Sequence, residues 1–225
     1  MSLENRTRRR NAVAETTNSG NDLALHLQIL GPPLLHWQGR DIGPGLSLRQ
    51  RALIFVLATE QRPVSRTCMA SLLWSERPEG AARANLRVAL TRLRQTLPGV
   101  LRCDARGLSL AEDRCVCDLA RLRLASSPAL SDGVAGDAAA QAWRGPLLEG
   151  FEFEDNDAFS FWLRGQRERT ARLAAGMFRE RLRCHEAAGR HEAAIGFARR
   201  LLELDVADES AHMALMRLHA ARGER

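Results

Sequence analysis

Lysine and tyrosine are both absent from this 225-residue chain, and all 33 basic residues are arginine. A coding bias explains this as readily as a function does, so it excludes nothing. Other absences exclude more. No apolar run reaches the roughly 18 residues that a membrane-spanning helix needs, and no secretory signal pattern opens the chain. A soluble, cytoplasmic protein with no membrane partner is expected. There is no Gly-rich phosphate loop, no nucleophile–base set and no cluster of ligating side chains at metal spacing. Neither enzyme chemistry, nor a cofactor, nor a bound metal is expected. Cysteine is sparse and odd in number: Cys68, Cys103, Cys115, Cys117 and Cys184. Reduced thiols follow, since a chain of this length needs no stapling. Cys115-Val116-Cys117 puts two thiols on one strand face, but no second Cys/His pair accompanies them.

What the chain does contain is unevenly spread. Apolar residues make up 45% and charged residues 27%, as in ordinary globular proteins. Residues 1–117 hold 17 arginines against 10 acids, a net of +7, whereas residues 118–225 hold 16 against 17, a net of −1. A polyanion-binding half joined to a half with another task fits this asymmetry.

The basic half is organised around Glu79–Pro98, EGAARANLRVALTRLRQTLP. Leu86, Ala89, Leu90, Leu93 and Leu97 recur at three- and four-residue spacing, which predicts a helix of about five turns with one buried stripe. Arg83, Arg87, Arg92 and Arg94, with Asn85, Thr91 and Gln95, cover the rest of its circumference. Stepping about 100° per residue, the side opposite the leucines carries Thr91, Ala84, Gln95 and Val88. Arg87 flanks that side on one edge, and Arg92 and Asn85 on the other. Such a face suits a major groove, although a solvated surface helix has the same composition.

Before it, residues 1–22 read as a disordered tail containing Arg6, Arg8, Arg9 and Arg10. Leu23–Leu30 alternates like a strand, Gly31-Pro32-Pro33 turns it, and Leu34–Trp37 forms a second strand. A weak third strand begins at Ile42, after a hairpin loop at Gln38–Asp41, so a small antiparallel sheet is expected. A first helix follows over Arg49–Thr59, with Ala52, Leu53, Val56 and Leu57 inward and Phe55 near the edge. A second spans Arg66–Trp74, N-capped by Ser65, with Cys68, Met69, Leu72 and Leu73 as core positions. After the long helix, residues 100–104 and Leu108–Leu110 flank a Gly-containing turn and predict a β-hairpin carrying Arg102 and Arg106. Sheet, two helices, a long basic helix and a hairpin make an α+β winged helix-turn-helix, with a groove-reading third helix and a wing.

Residues 118–225 read as all helical. Helices are expected at Leu119–Ala125, Asp137–Trp143, Phe159 to about Gly189, His191–Leu204 and Glu209–Ala221, in a tetratricopeptide-like arrangement. Glu152, Glu154, Asp155 and Asp157 form an acidic cluster, read as loop and helix-start acidity because calcium-loop spacing is missing. The chain stops at Arg225, after what reads as the first helix of another pair, so a fragment, or a non-repeat element or partner covering the open face, is expected.

The stretches LQILGP, RQRALIFVLA, VSRTCMASLLW and ARANLRVALTRLRQTL, with LRCDARGLSL and Asp118-Leu119, occur in the order seen in one family. So do WRGPLLEGF, FWLRGQRERT and GRHEAAIGFARRLLELDVADESAHMALMRLHAARG. Over about residues 23–225 the chain resembles the Streptomyces antibiotic regulatory protein (SARP) type of transcriptional activator. That resemblance implies an OmpR-like winged helix (23–117) followed by a tetratricopeptide-like bacterial transcriptional activator domain (118–225). It also implies a homodimer on direct-repeat DNA that contacts RNA polymerase. No receiver-like domain precedes the winged helix, so activation by an aspartyl phosphate within this chain is not expected.

The expected function is therefore sequence-specific binding of double-stranded DNA that regulates transcription. Asn85, Arg87, Thr91 and Arg92 are the candidate base readers, with Val88 or Ala84 against a thymine methyl. Arg66, Arg83, Arg94, Arg102 and Arg106 are the candidate phosphate contacts, although Arg83 and Arg94 lie close enough to the leucine stripe to pair within the domain. The alternative is a protein-interaction adaptor whose winged helix binds no DNA.

Overall fold

The computed structural model describes residues 24–126, 133–153 and 155–222. In chain order its strands and first helices are β1 (Leu25–Gln28), β2 (Leu34–Trp37), β3 (Arg40–Asp41), α1 (Leu48–Thr59), α2 (Arg66–Leu73) and α3 (Glu79–Thr96). Then come β4 (Leu101–Cys103), β5 (Leu108–Leu110), β6 (Cys115–Cys117), α4 (Asp118–Ala125), α5 (Gly133–Ala142), α6 (Asp157–Ala187), α7 (His191–Leu204) and α8 (Glu209–Ala221). The disorder expected of residues 1–22 lies outside the described residues, as do Leu23, much of the Ser126–Gly136 loop and Glu154. The chain divides into two compact units. One holds Leu34–Cys117, the described residues before Gln28, and Asp155–Ala158; the other holds Gln28–Pro33 and the remainder from Asp118.

In the first unit, the sheet order is β3-β2-β1-β6. Leu25 and Leu27, spaced by two, share the buried face as the alternation predicts. The sheet is not the purely antiparallel one expected: β6 lies parallel to β1, with Leu25 opposite Cys115 and Leu27 opposite Cys117. A parallel partner arrives only after a long crossover, here everything from β2 to β5, and no local pattern announces it. The third strand also sits earlier than expected. Gln38 (φ 51°) and Gly39 (φ 72°) form a two-residue turn, so Arg40 pairs with Trp37 and Asp41 with His36. Gly43–Gly45 is a short 3-10 turn instead of a strand break.

Helix α1 starts at Ser47, whose hydroxyl accepts the Gln50 N–H while the Gln50 side chain accepts the Ser47 N–H, a reciprocal capping box. The expected edge position of Phe55 is wrong: Ala52 to Leu57 are all buried, and Phe55 is completely so. α1 packs against α2, α3 and β5, so it has no solvated stripe to betray its orientation. In α2, Met69, Ala70 and Leu73 are buried, but Cys68 is exposed and not a core residue. Ser65 caps this helix through the Cys68 N–H at 3.1 Å, and that start turns the cysteine outward. At its other end the Arg49 guanidinium donates to Leu73 O (2.9 Å), lies 5.7 Å from the Trp74 ring centre and pairs with Glu76.

Among the described residues from Asp118 onward, the named elements of the second unit are all helices. The expected helices are present, with α5 beginning at Gly133, four residues before the expected Asp137. Ala194, Ile195, Ala198 and Leu201 of α7 and Ala211, Ala214 and Leu218 of α8 form the inner faces of a packed helix pair. Small side chains let the two axes approach closely. Three side chains that periodicity does not single out hold the unit's loops. The buried Asp118 carboxylate accepts the N–H groups of Ile29, Leu30 and Leu119 at 2.8–3.0 Å. Burial pushes its carboxyl above the ordinary value, against the lowering pull of those donors. Arg167 donates to the carbonyls of Leu147 (3.0 Å) and Leu148 (2.8 Å). Asp208 caps α8 through the Ala211 N–H (3.0 Å) and takes a hydrogen bond from Arg179 (2.7 Å).

Candidate nucleic-acid interface

Helix α3 runs 18 residues, and Ala82, Leu86, Ala89, Leu90 and Leu93 are its buried positions. Leu97, just past its end, is fully buried and continues the stripe. With that face anchored, Asn85, Arg87, Val88, Thr91 and Arg92 are all exposed. Burying the leucines thus presents the expected base readers together, along one side of a single rigid element. The Thr91 hydroxyl donates to the Arg87 carbonyl one turn back (3.0 Å), so it meets an outside partner as an acceptor or through its methyl.

The arginines separate by their partners. Arg83 pairs with Glu79 one turn earlier (2.5 Å) and reaches the Thr67 hydroxyl (3.3 Å). Arg102 on β4 pairs with Asp113 (2.7 Å), and Arg106 in the hairpin turn lies 3.9 Å from Asp104. These three are exposed pairs, held by little energy and free to exchange their acid for a phosphate. Arg66, Arg87, Arg92 and Arg94 form no salt bridge among the described residues.

Four arginines, Arg66, Arg83, Arg87 and Arg94, line a cleft of about 420 Å³ between α2 and α3. The hydroxyl side chains of Thr67 and Thr91 also line it, over Leu86 and Leu90. Sequence reasoning missed Thr67 and the cleft itself. Both depend on how α2 crosses α3, which no spacing within either helix records. Asn85 and Arg92 do not line the cleft, and Arg102 and Arg106 stand apart from it on the hairpin.

The hairpin is tied down by a residue the sequence did not mark. Val64 and Leu108 exchange both backbone hydrogen bonds at 2.8 Å, making Val64 a third strand position beside β5. Gly107 (φ 141°) permits this, because a Cβ there would stand 2.5 Å from the Val64 carbonyl oxygen.

Among the described residues no group of three or more His, Cys, Asp and Glu side chains is arranged to hold a metal ion. Burial pushes the Cys115 thiol up to about 12, so it remains S–H at neutral pH and is a poor nucleophile or ligand. No described helix is long and apolar enough to cross a membrane.

Residues 117–225 match the family model of the bacterial transcriptional activator domain. Among solved structures, the chain is similar to Mycobacterium tuberculosis EmbR, solved in complex with a low affinity phosphopeptide. That likeness has a TM-score of 0.52 at 21% identity and covers 89% of this chain. The chain spans 66% of the length of the EmbR chain. No curated protein matches it. The family match is confined to the helical half, and the likeness to EmbR, at 21% identity, bears on the fold.

Proposed function

We propose that this chain is a SARP-type transcriptional activator that binds double-stranded DNA in a sequence-specific way. Residues 23–117 act as a winged helix-turn-helix, with α3 in the major groove and the β4–β5 hairpin as the wing on the backbone. Asn85, Arg87, Thr91 and Arg92 read base edges, while Arg66, Arg83, Arg94, Arg102 and Arg106 meet phosphates. Residues 118–225 form the activator domain, which assembles a homodimer on DNA and contacts RNA polymerase in the cytoplasm. The observation that carries the reading is the exposed row of Asn85, Arg87, Thr91 and Arg92 on a helix anchored by its leucine face. Its match to the groove is chemical: arginine forks fit guanine and the asparagine amide fits adenine.

Selection of duplexes from a random pool by the full chain tests this. Enrichment of a defined site, repeated in direct orientation, is the expected result. A pool that stays random, with no duplex retained, overturns it and leaves the same surface to a protein partner.

A further inference from the structure

The cleft between α2 and α3 has more built into it than contact with a duplex backbone requires. Arg66, Arg83, Arg87 and Arg94 all line one space of about 420 Å³. The acid paired with this group is Glu79, which holds Arg83. Arg66, Arg87 and Arg94 have no salt bridge among the described residues, so the cleft carries a concentrated, uncompensated positive charge. Arg66 opens α2, where the unpaired N–H groups and the helix dipole add to the same field. The Thr67 hydroxyl accepts from Arg83 and retains its own proton to donate. Leu86 and Leu90 close the floor. A volume of this size lies in the range of small-molecule sites and exceeds a slot for one backbone phosphate.

The geometry points to a second ligand for this surface: a small molecule bearing a compact polyphosphate group, bound in the α2–α3 cleft by Arg66, Arg83, Arg87 and Arg94. Planar guanidinium forks bind phosphate oxygens in pairs, and several converging forks select a chain of phosphates over a single anion. Occupancy engages Arg87, a proposed base reader, and places negative charge against the groove-facing side of α3. The ligand is therefore an antagonist of DNA binding. This regulatory consequence rests on the proposed DNA reading, whereas the binding itself does not.

Titration calorimetry on the full chain at fixed ionic strength, without divalent cations, tests it with inorganic triphosphate, ATP and sulfate as probes. Triphosphate is expected to bind one per chain, at least tenfold tighter than sulfate. ATP binding tighter than triphosphate assigns a nucleotide as the source, and equal or weaker binding assigns the polyphosphate alone. Arg94→Ala and Arg66→Ala should each weaken triphosphate at least fivefold. Arg94→Lys keeps the charge and the fold but loses the fork, and should weaken it by a smaller factor. Arg106→Ala, on the hairpin, should leave triphosphate binding unchanged. Triphosphate should also displace a selected duplex at concentrations where sulfate of equal ionic strength does not. Sulfate matching triphosphate, or Arg94→Ala and Arg66→Ala leaving its affinity unchanged, overturns the proposal. Triphosphate binding by a chain that retains no duplex sinks the DNA reading and leaves the site standing. Duplex binding with no triphosphate uptake does the reverse.

Discussion

Arg87 and Arg92 stand exposed on α3 without a salt bridge among the described residues, whereas Arg83, Arg102 and Arg106 each have an acid within 4 Å. A guanidinium fork without a salt bridge can satisfy a guanine edge without breaking an existing pair, as the proposed groove reading requires. Replacing Arg87 or Arg92 by alanine should therefore weaken binding to the selected site by roughly 1–3 kcal/mol and relax specificity at one base pair, as read by competition with mismatched duplexes. Arg106→Ala should instead weaken all duplexes alike and lower the salt slope by about 1. Away from the interface, the Ser210 hydroxyl, then Arg179 and the Ala211 N–H, hold the Asp208 carboxyl at about 2 against its ordinary 3.8. A folded-state value below the unfolded one favours the folded form while the group is ionised. That contribution is complete above about pH 5 and is lost as pH falls through 3.8 towards 2. Acid melts of the Asp208→Asn variant should show a smaller loss of stability over this window than the parent chain.

At the scale of elements, α1 and α3 show two ways in which a helix becomes legible. α3 keeps a wet side, so its leucines stand out at helical spacing and its buried positions follow directly. α1 is covered on nearly every side, and its uniform apolarity reveals the helix but not its orientation. Cys68 failed as a core residue for a related reason: on a two-turn helix, one residue's error in the inward direction exchanges core for solvent. The hairpin offers a direct test of how it is held. Gly107→Ala would drive a methyl into the Val64 carbonyl at a backbone angle that side chains rarely adopt. It should cost on the order of 1–3 kcal/mol in denaturant unfolding. Gly80→Ala, in the first turn of α3 with open space around it, should be neutral or stabilising by up to about 1 kcal/mol.

On the scale of the whole molecule, the proposed duplex binding rests on the +7 of residues 1–117 beside the −1 of residues 118–225. Duplex affinity of the full chain should fall steeply with salt, by a log–log slope of about −0.9 for each phosphate neutralised. A slope near zero in a mobility assay would count against the phosphate roles of the five arginines. By itself, the sequence determined the long helix that opens at Glu79, its leucine face, the order of elements around it and the partition of charge. Each of these rests on neighbours within a turn or two, or on composition alone. Only the tertiary structure decided that β6 returns parallel to β1, that Val64 braces the hairpin, and that Asp118 satisfies N–H groups 88 and 89 residues away. It also decided that Arg66, Arg83, Arg87 and Arg94 share one cleft. Those features join residues far apart in the chain, and packing, not periodicity, brings them together.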